Sequence, residues 1–112
     1  MDICHDKRQY VRMAETVAGF DWEEGNWPKC AKHGVSRREI EEVLAGRPLV
    51  LPDRTGGGVE TRFNAVGRSL EGRYLFIVFT FRSAGEMRLI RPISARDMHA
   101  EEVRNYERQK GA

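Results

Sequence analysis

The sequence predicts an α+β domain: N-terminal helices, then an antiparallel β-sheet meander, then a C-terminal helix. Three observations carry that prediction. From Glu60 to Ala95, three strand-like segments are joined by short connections containing glycine, Ser69–Gly72 and Ser83–Gly85, as hairpins are. Helix starts flank the strands on both sides, with Ser36 and Glu39 forming a capping-box pattern before them and Asp97 standing after them. The middle segment, Leu75 to Phe81, is apolar at both alternations, which marks a central strand covered on both faces.

Taken in order, residues 6–18 read as a helix that stops at Gly19, with Tyr10, Met13 and Val17 on a thin apolar stripe. Residues 1–19 are therefore expected to be a helical extension and residues 20–112 the main domain. Phe20-Asp21-Trp22 is a short extended lead-in that inserts two aromatics into the core. Glu23 to His33 is a second helical segment, disturbed by Gly25 and Pro28, and Gly34 suits a left-handed C-cap. Ser36 caps a helix from Arg37 to Ala45, with Val35 placed to staple onto Ile40 and Gly46 as the stop. Pro48 to Leu51 is a short apolar strand, followed by a polar loop over residues 53–58. The triple glycine in that loop lacks the strand-to-helix junction of a phosphate loop and reads as a plain loop. Strands are expected over Glu60–Arg68, Arg73–Arg82 and Glu86–Ala95, and the last helix from Asp97 to Gln109 with Met98, Val103 and Tyr106 facing inward.

Composition narrows the class. Hydrophobic residues at 40% and charged residues at 32% fit one globular domain of 112 residues with a single core. No apolar stretch approaches the ~18 residues that span a bilayer, and the first ten residues have no apolar signal region. Cys4 and Cys30 make no redox or metal pattern, and His5, His33 and His99 are not spaced to clamp a metal. A cytoplasmic protein without metal or cofactor and without a membrane partner is expected.

Charge points to a ligand. Between Arg62 and Arg96 stand seven arginines against two acids, Glu71 and Glu86, while the whole chain carries only +2. A rigid sheet bearing guanidinium groups suits phosphate oxygens, which the planar fork can meet bidentately. RNA is the leading partner, because its cleavage needs no protein nucleophile: the ribose 2′-hydroxyl can attack in line. The protein must then orient the strand, meet developing charge and move protons. Arg62 and Arg82 lie at the start of one strand and the end of its antiparallel neighbour, so a hairpin brings them together. Both fit RNA contact or catalysis, and both also fit structural ion pairs. Arg91, sharing a strand face with Leu89 and Ile93 by strict alternation, would assist or shield a sheet edge. Arg68, Arg73 and Arg96 would position RNA or support the fold. His33, Glu60 and Tyr106 are the candidates for proton transfer, with His33 equally suited to a helix C-terminus.

Several stretches also carry a resemblance. Phe20-Asp21-Trp22-Glu23, Gly25-Asn26, Lys29-Cys30, Lys32-His33-Gly34-Val35-Ser36, Glu60 to Phe63, Gly67-Arg68, Gly72-Arg73, Val78 to Arg82 and Arg91 to Arg96 resemble the BrnT-type toxins. The resemblance spans Phe20 to Tyr106. It implies a RelE-like ribonuclease fold, inhibition of translation by RNA cleavage, and no metal. It also implies neutralisation by a BrnA-type antitoxin with a DNA-binding part, so that DNA would be contacted only indirectly. A catalytically weak binding module, docking an antitoxin and modulating its DNA binding, is the alternative.

Overall fold

The computed structural model describes residues 17–22, 33–52 and 62–111. In chain order these form β1 (Gly19–Phe20), α1 (Arg37–Ala45), β2 (Leu49–Pro52), β3 (Phe63–Arg68), β4 (Tyr74–Ala84), β5 (Met87–Asp97) and α2 (Ala100–Gly111). The strands make one sheet in the order β1-β5-β4-β3-β2. The fold is α+β, and β4 is its central strand. Strands β2 to β5 are the antiparallel meander, while β1 joins the edge in parallel, Gly19 beside Leu89 and Phe20 beside Ile90. The expected helices over 6–18 and 23–33 and the loop over 53–58 fall almost wholly outside the described residues. Val17 and Ala18, expected to end the first of them, instead lead into β1: the Ala18 amide donates to the Arg88 carbonyl at 2.8 Å.

Helix α1 forms where the sequence calls for it. Ser36 Oγ accepts from the Glu39 amide, and the Glu39 carboxylate accepts from the Ser36 amide, so both halves of the capping box are made. The helix then turns Ile40, Val43 and Leu44 onto Ala65, Leu75, Ile77, Phe79 and Ile90, and these side chains form the core together with Val35. Gly67 on β3 is needed for that approach, since a Cβ there would lie 3.0 Å from Cγ1 of Val43. Phe63 stacks on Phe79 at 5.5 Å, and Phe81 meets both edge-on.

Two details depart from simple expectation. Phe79 pairs with Pro92 and Val78 with Ser94, which leaves Ile93 as an extra residue in β5. Pro92 has no N–H for the ladder, and a bulge beside it accommodates that loss. Arg91 consequently shares its face with Ser94 and Arg96 rather than with Ile93. Second, α2 starts at Ala100 instead of Asp97, because the Asp97 carboxylate is taken by Arg73. His99 takes the capping position: its carbonyl accepts from the Val103 amide at 3.0 Å and its amide donates to Glu102 at 2.8 Å. Met98 and Tyr106 are buried and Val103 is half-buried. No described helix is long and apolar enough to cross a membrane.

This packing ranks substitutions. Phe79→Ala, at a fully buried position, should lower unfolding free energy by about 3–5 kcal/mol. Met87→Ala, at an exposed one, should change it by less than about 0.5 kcal/mol. Urea unfolding midpoints of the two variants read the difference.

Candidate functional site

One face of the sheet is covered by α1. The other carries Arg62, Asn64, Val66 and Arg68 from the β3 strip, Tyr74, Phe76, Val78, Thr80 and Arg82 from β4, and Arg91, Ser94 and Arg96 from β5, as the pairing registers require. Helix α2 packs on one end of this second face. Tyr106 meets Tyr74 edge-on at 6.1 Å, the Tyr74 hydroxyl donates to Glu107, and Arg96 grips Glu102 through two bonds of 2.9 and 3.0 Å. The other end holds Arg62, Thr80, Arg82 and Arg91.

Register sets the geometry there. Phe63 is opposite Phe79, so the same antiparallel register carried one residue back sets Arg62 level with Thr80. Thr80 is in turn paired with Arg91. Arg62, Thr80 and Arg91 thus form a row across three adjacent strands. Strands lie ~4.8 Å apart, which separates the Arg62 and Arg91 backbones by roughly 10 Å. Arg82, two residues beyond Thr80, is one diagonal step of about 7 Å from that row. All three arginines are half-buried. Arg82 donates from Nη1 to Asp21 Oδ2 at 3.0 Å, which fixes the direction of its guanidinium.

Other sequence candidates lie elsewhere. Arg73 is bound on three sides: to both Asp97 oxygens at 2.7 and 3.1 Å, to the Gly34 carbonyl at 3.1 Å and to Glu39 at 3.1 Å. These contacts hold its guanidinium protonated well beyond the ordinary range, the Asp97 bonds contributing most. Arg96, besides gripping Glu102, lies over the Phe76 ring at 4.1 Å. Arg68 covers the Tyr74 ring at 4.7 Å. His33 is exposed in the turn before α1, close enough to Asp97 to favour its charged form. Arg73, which binds that same Asp97, is nine residues along β4 from Arg82, roughly 30 Å at ~3.3 Å per residue. His33 and Tyr106 are therefore not brought to the Arg62–Arg82–Arg91 group. Glu60 lies outside the described residues.

Sequence reasoning passed over three residues of this region. Asp21 reads as a spacer between two aromatics, yet an acid flanked by core side chains needs a cation, and Arg82 supplies one. Thr80 is buried at the centre of the arginine row. Asn64, one step along β3, has a buried Oδ1 with no hydrogen-bond donor among the described residues. No three His, Cys, Asp or Glu side chains gather as metal ligands among the described residues.

The described residues thus define an α+β domain with arginines from three neighbouring strands gathered on one sheet face. The family model of the ribonuclease toxin BrnT of type II toxin–antitoxin systems matches residues 22–102. The chain belongs to that family, which brings an RNA substrate and an antitoxin partner with it. No curated protein matches the chain.

The Arg73 cluster yields a pH dependence. Its donation holds Asp97 below its usual range, and the Ser36 amide, aided by Arg73, does the same for Glu39. Carboxyls depressed in the folded state bind fewer protons there than when unfolded, so stability rises with pH through this window. The contribution is complete above the ordinary carboxylate range near pH 4 and is lost on acidification below it. Arg73→Gln should lower the urea midpoint at pH 7 and flatten its fall between about pH 4.5 and 2.5, measured side by side with the wild type.

Proposed function

We propose that the chain is an endoribonuclease that cleaves RNA without a metal, by in-line attack of the ribose 2′-hydroxyl on the adjoining phosphate, and so inhibits translation. Arg62, Arg82 and Arg91 act as the phosphate clamp. Their guanidinium forks orient the strand and meet the charge that develops on the phosphorane oxygens. The observation that carries this reading is the row Arg62–Thr80–Arg91 with Arg82 a diagonal step away. Two long cationic side chains rooted ~10 Å apart on the two strands that flank β4 can close on one phosphodiester from both sides. The Asp21 carboxylate keeps Arg82 aimed before substrate arrives, which lowers the entropy lost on binding.

Arginine stays protonated and cannot serve as the base. Glu60, two residues ahead of Arg62 in the chain, fits proton transfer better than His33, which stands near the Arg73–Asp97 end. Arg68, Arg73 and Arg96 position RNA indirectly, by holding the turn, the α1 cap and the start of α2 that shape the face. The antiparallel meander with a helix on each face is compatible with a RelE-like arrangement. The antitoxin is of the BrnA type, so any DNA contact is indirect, and the pair acts in the cytoplasm.

The Asp21–Arg82 ion pair also favours a second reading. An arginine already neutralised by a carboxylate is a weaker clamp, as in a catalytically weak module that docks an antitoxin and modulates its DNA binding. Induction of the chain separates the two. The wild type should arrest growth with loss of total RNA, and Arg62→Ala/Arg82→Ala should do neither while still binding antitoxin. Each single change should lower the cleavage rate about 10²–10³-fold, the cost of removing one donor to a developing oxyanion. Normal growth with folded, soluble wild-type chain would favour the docking module.

The chemistry has its own check. An oligonucleotide with 2′-deoxyribose at the cut position should resist cleavage, and EDTA should leave the rate on all-ribose RNA unchanged. Cleavage of the deoxy substrate, or loss of rate in EDTA, would refute the mechanism.

A further inference from the structure

A cleft of about 410 Å³ opens at the end of the sheet away from the arginine row. Val43 of α1, its stop Gly46, the Arg47–Pro48 link, the β3–β4 turn and the last turns of α2 line it. Arg68 begins that turn and is six residues along β3 from Arg62, about 20 Å at ~3.3 Å per residue. The cleft is a separate site, in the size range of binding pockets.

Its chemistry is mixed in a particular way. Leu70, 83% exposed at the tip of a tight turn, supplies the accessible apolar surface, above the buried Val43 and Pro48. The turn is held in place: the Leu70 amide donates to Glu42 at 3.1 Å, and the Gly72 and Ser69 backbones bond across it. The turn therefore presents Leu70 to solvent in a fixed position beside a cationic rim. Around it stand three cations, Arg47, Arg68 and Lys110, against one lining acid, Glu107. Glu107 is already engaged by the Tyr74 hydroxyl, and Glu42 by Arg38 and the Leu70 amide. Arg68 and Lys110 make no salt bridge with any described carboxylate; they lie over the Tyr74 and Tyr106 rings at 4.7 and 5.8 Å. Those rings also meet each other edge to face, so neither is a clear platform for a nucleic-acid base, which binds by stacking on an open ring. The cleft calls for a protein segment.

We infer that this cleft docks the antitoxin, receiving a segment in which an apolar side chain beds against Leu70 while flanking carboxylates meet Arg47, Arg68 and Lys110. The inference rests on the toxin reading only for the existence of an antitoxin; it does not depend on the cleavage mechanism. Because the cleft stands about 20 Å from Arg62, docking there is separable from the arginine row.

The test uses the full chain and its cognate antitoxin. Leu70→Asp and Arg47→Glu/Lys110→Glu, all at exposed positions, are compared with the wild type by calorimetric titration of the antitoxin and by growth on induction with and without it. Thermal melts confirm folding; the two variants alter different walls, so either alone suffices. The expected result is at least a tenfold weaker affinity and poor rescue by antitoxin, with arrest by the variants alone unchanged. Affinity within twofold of wild type in both folded variants would overturn the inference. Loss of arrest with unchanged affinity would also overturn it and make the cleft an RNA contact. If the wild type binds antitoxin but causes no arrest, the ribonuclease reading fails while the affinities still decide the docking site.

Discussion

Strand β4 is paired along both edges, and that double pairing determines where every functional side chain emerges. Eleven residues, Tyr74 to Ala84, hold β3 on one side and β5 on the other. Leu75, Ile77 and Phe79 have no exposed surface and bind the sheet to α1 on one face. The intervening positions, Thr80 and Arg82 among them, are thereby committed to the other. A one-residue slip would exchange the two sets, so burial of the α1-facing row indirectly fixes the arginine row.

The β5 bulge completes that arrangement. Without Ile93 as an extra residue, Arg91 and Arg96 would emerge on opposite faces, since they are an odd number of positions apart. With it, both share the face of Thr80 and Phe76. They then part in role. Arg96 is drawn to Glu102 and the Phe76 ring, fastening α2 to the sheet. Arg91 stays with Thr80 at the far end. Arg73 performs the corresponding service on the α1 face, bridging the capping box, the Gly34 carbonyl and the end of β5. The cationic stretch of the sequence therefore divides between arginines that fasten the helices, Arg73 and Arg96, and those gathered at the far end of the second face, Arg62, Arg82 and Arg91.

How much of this was legible in the sequence follows from how local each signal is. The α1 cap, its stop at Gly46, the hairpins and the central strand are written in short patterns, and they appear where those patterns place them. Hairpin geometry also predicts Arg62 near Arg82, and the register sets them one diagonal step apart, Arg62 level with Thr80. What period-two counting misses is a bulge: it sets Ile93 on the face of Arg91, where the structure sets Ser94 and Arg96 beside Leu89. It also misses long-range pairing: Asp97 resembles a helix cap until Arg73, 24 residues away in the chain, claims it. Asp21 with Arg82 (61 residues apart) and the parallel β1 strand are likewise beyond any local pattern.

The claim that RNA lies across the row of Arg62, Thr80 and Arg91 is tested most directly by NMR titration with a short RNA carrying one 2′-deoxyribose at the scissile position, so that it binds without being cut. The account predicts that the largest changes fall on the guanidinium Nε–H signals of Arg62, Arg82 and Arg91 and on the Thr80 and Asn64 backbone amides. Changes concentrated instead at His33, Arg73 and Asp97, with the arginine row unmoved, would contradict it.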